Sequence, residues 1–315
     1  MNDGSTDNSL DICEEFSRKD NRVKVINKKN EGCIATRQKG VNLSSSNYIM
    51  FVDADDWINE TTVENLYYNL INSNSDISVC NMYKVIGSHA LIKLKSENNY
   101  FKENRVYEDS EVRNELVVSY LHGHSFPSNL CGKLYKKELL QSCGNFLNRI
   151  HFFGEDLYYN LEILLKANRV KVIDKPLYYY RAGGTSSKYM SYLFKDSISG
   201  YQIQKEIIDE FFKESKQARL NGISIMLLNI LKTCLINLFY SNLCELEILK
   251  EISRYVKNDS IRECLENKGV KKYLELDYLN AIVNEDIKYL YTFGLNGYKK
   301  QKPRKFIINI LSRVC

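Results

Sequence analysis

The apolar run Tyr48-Ile-Met-Phe-Val52 gives way at once to Asp53-Ala-Asp-Asp56, and this switch constrains the chain more than any other feature. Such a run suits a strand buried on both faces, in the middle of a parallel sheet with helices on either side. Asp53, Asp55 and Asp56 then fall just past its carboxyl end, where open α/β sheets bind ligands. Carboxylates crowded this closely repel one another. They need solvent, a following helix to cap, or a shared cation.

The flanking sequence reads as α/β. A polar turn, Asn2-Asp-Gly-Ser-Thr-Asp-Asn-Ser9, leads into a helix from about Ser9 to Lys19. Arg22 to Ile26 alternates like a strand, and a helix around Glu31 to Leu43 follows. After the acidic corner, Thr61 or Thr62 caps a helix carrying Val63, Leu66, Tyr67 and Leu70. Asp76 to Tyr83 reads as a strand, Ala90 to Leu94 as an edge strand, and Val112, Leu116, Val117 and Leu121 mark a further helix. Asn129 to Leu139 passes from strand to helix, Gly154 to Leu165 is a helix with Glu155 and Asp156 at its amino end, and Val170 to Arg181 reads as two short strands around a turn. Beyond Gly183-Gly184 helical periodicity dominates. The boundary is placed near residue 190, giving an α/β unit over 1–190 and a helical region over 191–315.

Charge and cysteine usage narrow the function classes. Forty-four basic against 39 acidic residues leave a net charge of +5, too mild and too evenly spread to imply a nucleic-acid partner. Nine scattered cysteines form no Cys-x-x-Cys pair, so neither a disulfide framework nor a zinc knuckle is indicated, and a reduced, cytoplasmic setting is expected. The close pair His122 and His124 reads as a loop. No uninterrupted apolar run reaches the ~18 residues of a spanning helix. The most apolar segment, Ile223 to Tyr240, is broken by Asn229, Lys232, Thr233 and Asn237 and reads as a buried helix.

Three constellations can carry chemistry, and each has a plain structural alternative. Asp53 and Asp55 can hold a hard divalent cation while leaving coordination sites for phosphate, or simply form a solvated turn that caps the next helix. Glu155-Asp156 can supply a general base, or serve as ordinary acids at a helix start. Asp3 can accept from a base N–H or a ribose hydroxyl, or belong to an Asp-Gly turn.

Taken in order, Asn2 to Ser9, Asn30 to Gly40, Phe51 to Ile58, Gly132 to Tyr135, Gly154 to Asp156 and Tyr178 to Arg181 resemble the family-2 glycosyltransferases of GT-A fold, which assemble bacterial capsule, exopolysaccharide and cell-wall glycans. The resemblance covers the first 190 residues. It implies a Rossmann-like, mostly parallel sheet with helices on both faces, followed by a mainly helical region, and an inverting transfer from a nucleotide-sugar, with UDP the expected nucleotide, to an acceptor hydroxyl of a glycan or lipid-linked glycan. It places Asp3 on the nucleobase, Arg37 near the nucleotide, Asp53 near the ribose, and Asp55, helped by Asp53, on Mn²⁺ or Mg²⁺. Asp156 matches the base, with Glu155 beside it, and Arg181 and Lys133 fall near the donor phosphates. Trp57 and Tyr135 are candidates for the cleft wall, with core packing as their alternative.

Family members open with a strand ahead of the Asn-Asp-Gly-Ser motif, and here Met1 stands where the second strand would be ending. A sheet lacking its first strand is therefore expected, and an inactive remnant is the alternative function. A further alternative is a phosphohydrolase in which Asp53 attacks phosphorus and Asp55 acts as acid/base. Residues 299–315 join a basic cluster to an apolar strip that would rest on the inner face of an anionic membrane.

Overall fold

The computed structural model describes residues 1–314 apart from 87–91, 123–125, 182–188 and 268. His124, Gly183-Gly184 and the start of the expected Ala90 strand lie outside the described residues, as do the side chains from residue 304 onward. The strands are β1 (Asn2–Asp3), β2 (Asn27–Lys28), β3 (Tyr48–Met50), β4 (Trp57–Ile58), β5 (Ile77–Ile86), β6 (Ile92–Lys95), β7 (Arg105–Tyr107), β8 (Lys133–Lys136) and β9 (Val170–Arg181). Over the α/β part the helices are α1 (Ser9–Lys19), α2 (Gly32–Leu43), α3 (Thr62–Asn72), α4 (Asp109–Glu111), α5 (Val118–Leu121), α6 (Lys137–Gln141) and α7 (Glu155–Lys166), with a π-helical stretch, Val112–Val117, joining α4 to α5.

One seven-stranded sheet runs β3-β8-β5-β9-β4, with β6 beside β5 and β7 beside β9. It is mixed rather than mostly parallel: only β5 and β9 pair in parallel, and its other ladders are antiparallel. β1 and β2 form a separate parallel pair. Period-two alternation sorts the long strands between two layers. Ile77, Val79, Val170 and Val172 join the large core with the π-helical stretch and α7. Cys80, Ile173, Leu177 and Tyr178 face Leu66 and Leu70 of α3 on the other side.

Three expectations need correction. The opening apolar run lies at the end of the sheet path, not in its middle: β3 pairs with β8, its residues are half-buried, and Val52 is exposed. Arg22 to Ile26 makes no ladder; only the Ile26 carbonyl accepts a bond, from the Asn2 N–H at 2.8 Å, and pairing starts at Asn27. Val170 to Arg181 is one strand with a bulge, because the register jumps from Cys80 opposite Ile173 to Asn81 opposite Pro176. Pro176 has no N–H for the ladder, and the Asn81 amide instead binds the Asp174 carboxylate at 3.2 Å.

The helical region comprises α8 (Leu193–Phe211), α9 (Lys216–Leu238), α10 (Glu245–Val256), α11 (Asp259–Glu266), α12 (Val270–Tyr273), α13 (Leu276–Val283) and α14 (Ile287–Val314). Its buried side chains share one continuous core with those of α7 and the sheet. The stretch Lys213–Leu238 is long and apolar enough to cross a membrane by length and composition, which the broken apolar run of the sequence does not suggest. In this fold Leu227, Leu228, Leu231 and Leu235 of that stretch are buried among the surrounding helices.

Candidate active site

Helix α2 connects the chemically suggestive segments. At its amino end the Asp3 carboxylate accepts from the Glu31 and Gly32 N–H groups, each at 2.9 Å, where a helix leaves its donors unpaired. Gly4 after it sits at φ +74°, and a Cβ there would lie 2.9 Å from the Asn30 nitrogen, so the turn requires glycine. The Lys28 ammonium also pairs with Asp3 and, through its hydrogen bond above all, holds the carboxyl down at about 2. Asp3 is thus engaged as an anchor for α2.

Within the first two turns of α2, Cys33 and Arg37 stand four residues apart and face the start of α7. The Arg37 guanidinium donates to Asp156 at 2.5 Å and to Glu155 at 3.4 Å through one nitrogen, and to Asp53 at 3.3 Å through the other. Burial opposes its charge, and these carboxylates more than restore it, so its pKa stands above the usual guanidinium value. The Cys33 thiol donates to Glu155 at 3.4 Å; burial and the Glu155 charge push it up to about 12, so it stays protonated.

Glu155 and Asp156 open α7, after Gly154 in the left-handed region at φ +85°. Burial raises both carboxyls above their ordinary range. For Glu155 the Asp156 charge adds to the rise and Arg37 opposes it; for Asp156, Arg37 and the Leu130 N–H, 3.4 Å away, oppose it. The segment leading into this pair is fixed by Asp196 of α8, whose buried carboxylate accepts from the N–H groups of His151, Phe152 and Phe153 at 2.9, 2.9 and 2.8 Å. Sequence reasoning missed Asp196. Its signal is an acid on the apolar stripe Leu193, Asp196, Gly200, Ile203 and Ile207.

The acidic corner after β3 is divided by its partners. The Asp53 N–H donates to the Tyr178 hydroxyl at 3.2 Å, and that hydroxyl donates to Asp56 at 2.7 Å. The other Asp56 oxygen accepts from the Arg181 N–H at 2.7 Å, and burial raises the Asp56 carboxyl. Asp56 therefore ties the corner to β9. Asp55 is exposed and, among the described residues, makes no hydrogen bond or ion pair. The Arg181 guanidinium lies over the Trp57 ring at 5.6 Å, Trp57 stacks on Tyr179 at 5.5 Å, and the buried Arg181 Nε has no described partner.

One ligand atom each from Asp53, Asp56 and Cys131 lie within 4.8 Å of one another. This set differs from the expected Asp53 and Asp55 and fits a hard cation poorly as it stands. Both Asp56 oxygens carry hydrogen bonds, and burial pushes the Cys131 thiol up to about 12, away from the thiolate a metal needs. The oxygens free to receive Mn²⁺ or Mg²⁺ belong to Asp55 and, in part, Asp53.

Arg37, Asp53, Glu155 and Asp156 are thus brought together, with Asp55, Asp56 and Arg181 beside them. Lys133, expected near the donor phosphates, lies near enough to Asp156 for their charges to interact, but its ammonium is engaged by backbone carbonyls. Only 2% exposed, it gives its ammonium to the carbonyls of Pro127, at 2.9 Å, and Asn129, and burial lowers its pKa to about 8. Its contacts secure the loop that carries Leu130 and Cys131. Tyr135 is fully buried and donates to Asn160 at 2.8 Å, so it belongs to the core and not to a cleft wall.

Residues 1–140 match the family described as Glycosyl transferase family 2. The glycosyltransferase GlyA of Streptococcus pneumoniae is 35% identical over 181 residues, which is 58% of this chain and 25% of that protein. The uncharacterized glycosyltransferase EpsJ of Bacillus subtilis is 27% identical over 220 residues, 70% of this chain and 59% of that protein. The chain therefore spans a quarter and somewhat over half of these two relatives. Among solved structures, residues 1–349 of Staphylococcus aureus TarS in complex with UDP-GlcNAc align with a TM-score of 0.60 at 21% identity, covering 95% of this chain and 81% of that one. Ordered motifs, a mixed α/β sheet with a helical region behind it, and these relatives agree: residues 1–140 match glycosyl transferase family 2, the chain is similar to glycosyltransferases, and its fold is GT-A.

Proposed function

We propose that this chain transfers a sugar, with inversion, from a UDP-sugar to an acceptor hydroxyl in the synthesis of a surface glycan. The observation that carries the reading is the meeting of Arg37, Asp53, Glu155 and Asp156, drawn from three separate segments, at the carboxyl end of β3. The family match over residues 1–140 stands against the aspartyl-phosphate hydrolase, and the UDP-GlcNAc complex of the solved structure it resembles supports UDP as the donor's nucleotide.

Asp156 is the base. It is part-buried, at a helix start, and its raised pKa improves it as a proton acceptor over an ordinary aspartate. Arg37 orients it and keeps it ionised, while Glu155 shares that guanidinium and adds charge beside it. When the acceptor hydroxyl attacks the anomeric carbon, its proton passes to Asp156 and the bond to the diphosphate breaks on the opposite face, which inverts the centre. Asp55 and Asp53 would hold Mn²⁺ or Mg²⁺, which when bound neutralises charge on the departing diphosphate. Arg181 lies beside the same corner as a further cation for the phosphates, and Asp3 can meet the nucleobase through its second oxygen, which among the described residues accepts only from the Gly32 N–H. A cytoplasmic setting, with residues 299–315 on the inner face of the membrane, suits a lipid-linked acceptor.

The test is UDP release from a panel of UDP-sugars with and without Mn²⁺ or Mg²⁺. Release only with the metal, lost in Asp55→Asn, is expected; metal-independent turnover counts against the carboxylate pair.

A further inference from the structure

A cleft of about 340 Å³ opens beside Cys33, whose thiol donates to Glu155 at 3.4 Å. Its wall includes Glu31, Cys33 and Gln38 from the start of α2, and His151, Phe152 and Tyr192 from the other side. The volume lies near the small end of the ~300–1,000 Å³ range of ligand pockets. Phe152 and Tyr192 meet edge to face at 5.7 Å, and His151 lies 4.9 Å from Tyr192. Phe152 remains 36% exposed. A single exposed ring means little in itself. This one sits on backbone fixed by three hydrogen bonds to the buried Asp196, two residues before the Gly154 turn into the catalytic pair.

The lining also discriminates between ligands. It contains no Lys or Arg, and its one acid, Glu31, is paired at 2.8 Å with Lys28 outside the wall, so the cleft offers a diphosphate no unpaired cation. A saccharide has the complementary chemistry. Its C–H face suits aromatic rings, and its hydroxyls suit a carboxylate, an amide and an imidazole.

We propose that this cleft is the acceptor subsite, taking a saccharide unit whose ring lies on Phe152 and Tyr192 and whose hydroxyls meet Glu31, Gln38 and His151. The proposal rests on the transferase reading above, and it divides the site: donor at the acidic corner, acceptor across Glu155 from it. It also gives the helical region a direct share in recognition. Tyr192 leads into α8, and Asp196 of that helix holds the opposite ring in place.

The full chain, fluorescently labelled, is applied to a printed array of bacterial surface oligosaccharides, and UDP binding is measured in parallel by calorimetry. Wild type is expected to bind saccharide spots. Tyr192→Ala and Phe152→Ala should each lower the signal about tenfold, a loss of one ring contact in the binding constant. Tyr192→Phe should retain most of it, and Tyr68→Ala, an exposed ring on α3, should change nothing. Should Tyr192→Ala fail to fold, Phe152→Ala carries the test from its exposed position. Signal surviving in the alanine variants overturns the subsite, as does a wild type that binds UDP and no saccharide. Saccharide binding that depends on these rings, with no UDP binding, upholds the subsite and overturns the transferase reading instead.

Discussion

The first 60 residues and the helices after Leu193 are built on opposite terms. Among residues 1–60 only Asn2 and Val41 are buried, and α1 buries nothing, leaving Ile12 and Phe16 more than half exposed. Helix α9 alone buries nine residues. Yet Asp3, Arg37, Asp53 and Asp55 all come from the thinly packed part. Four of the proposed site residues thus sit where the core is sparse, while Glu155 and Asp156 open the well-packed α7. The two parts are joined by a few polar ties: Arg37 to α7, Asp53 and Asp56 to Tyr178, and Asp196 to the segment before Glu155.

Five variants would break or sharpen this contrast. Asp156→Asn should lower transfer by ~10²–10⁴-fold with UDP binding nearly intact, since it removes the proton acceptor and little packing. In wild type the rate should rise with pH through a carboxyl pKa above the ordinary aspartate value of ~4, because the unprotonated form is the active one. Arg37→Gln should move that limb higher still, by removing the charge that opposes the rise; an acid limb at or below the ordinary value would remove Asp156 from the role. Next in size, Leu235→Ala in α9 should cost ~2–5 kcal/mol in denaturant unfolding, as a fully buried leucine leaves a cavity.

Asp196→Asn should cost ~1–3 kcal/mol and loosen amide exchange at His151, Phe152 and Phe153, because an amide cannot accept all three bonds on carboxylate terms. Protection unchanged there would mean the strap does not govern the site. Phe16→Ser should stay within ~0.5 kcal/mol of wild type, and a loss matching that of Leu235→Ala would erase the contrast outright. The smallest effect is at Asp3, whose depressed pKa means the fold holds it ionised. Its contribution is present above the unfolded value of ~3.9 and fades as pH falls through about 2, and protection of the Glu31 and Gly32 amides should follow that course.

The acidic motifs are more legible in the sequence than the partners they meet. Asp53-Ala-Asp-Asp56 and Glu155-Asp156 stand out because acids follow apolar runs or open a helix, patterns that local physics makes visible. Sheet order was not legible, because an apolar pentapeptide cannot show how many neighbours it will have; β3 has one ladder where two were expected. The division of labour among the three aspartates was also hidden, since it depends on Tyr178 and Arg181, more than a hundred residues away. The resemblance placed Lys133 near the donor phosphates. Burial and two carbonyls turned it into a brace.

The Asp196 strap changes where this chain can be cut. A boundary read from composition near residue 190 would release an amino-terminal piece containing every carboxylate of the site, and that piece would lose the acceptor for the His151, Phe152 and Phe153 amides. The smallest unit that keeps Glu155 and Asp156 on a fixed approach therefore extends into α8. In swapping helical regions between relatives, α8 travels with the catalytic half, and the exchangeable part begins after it.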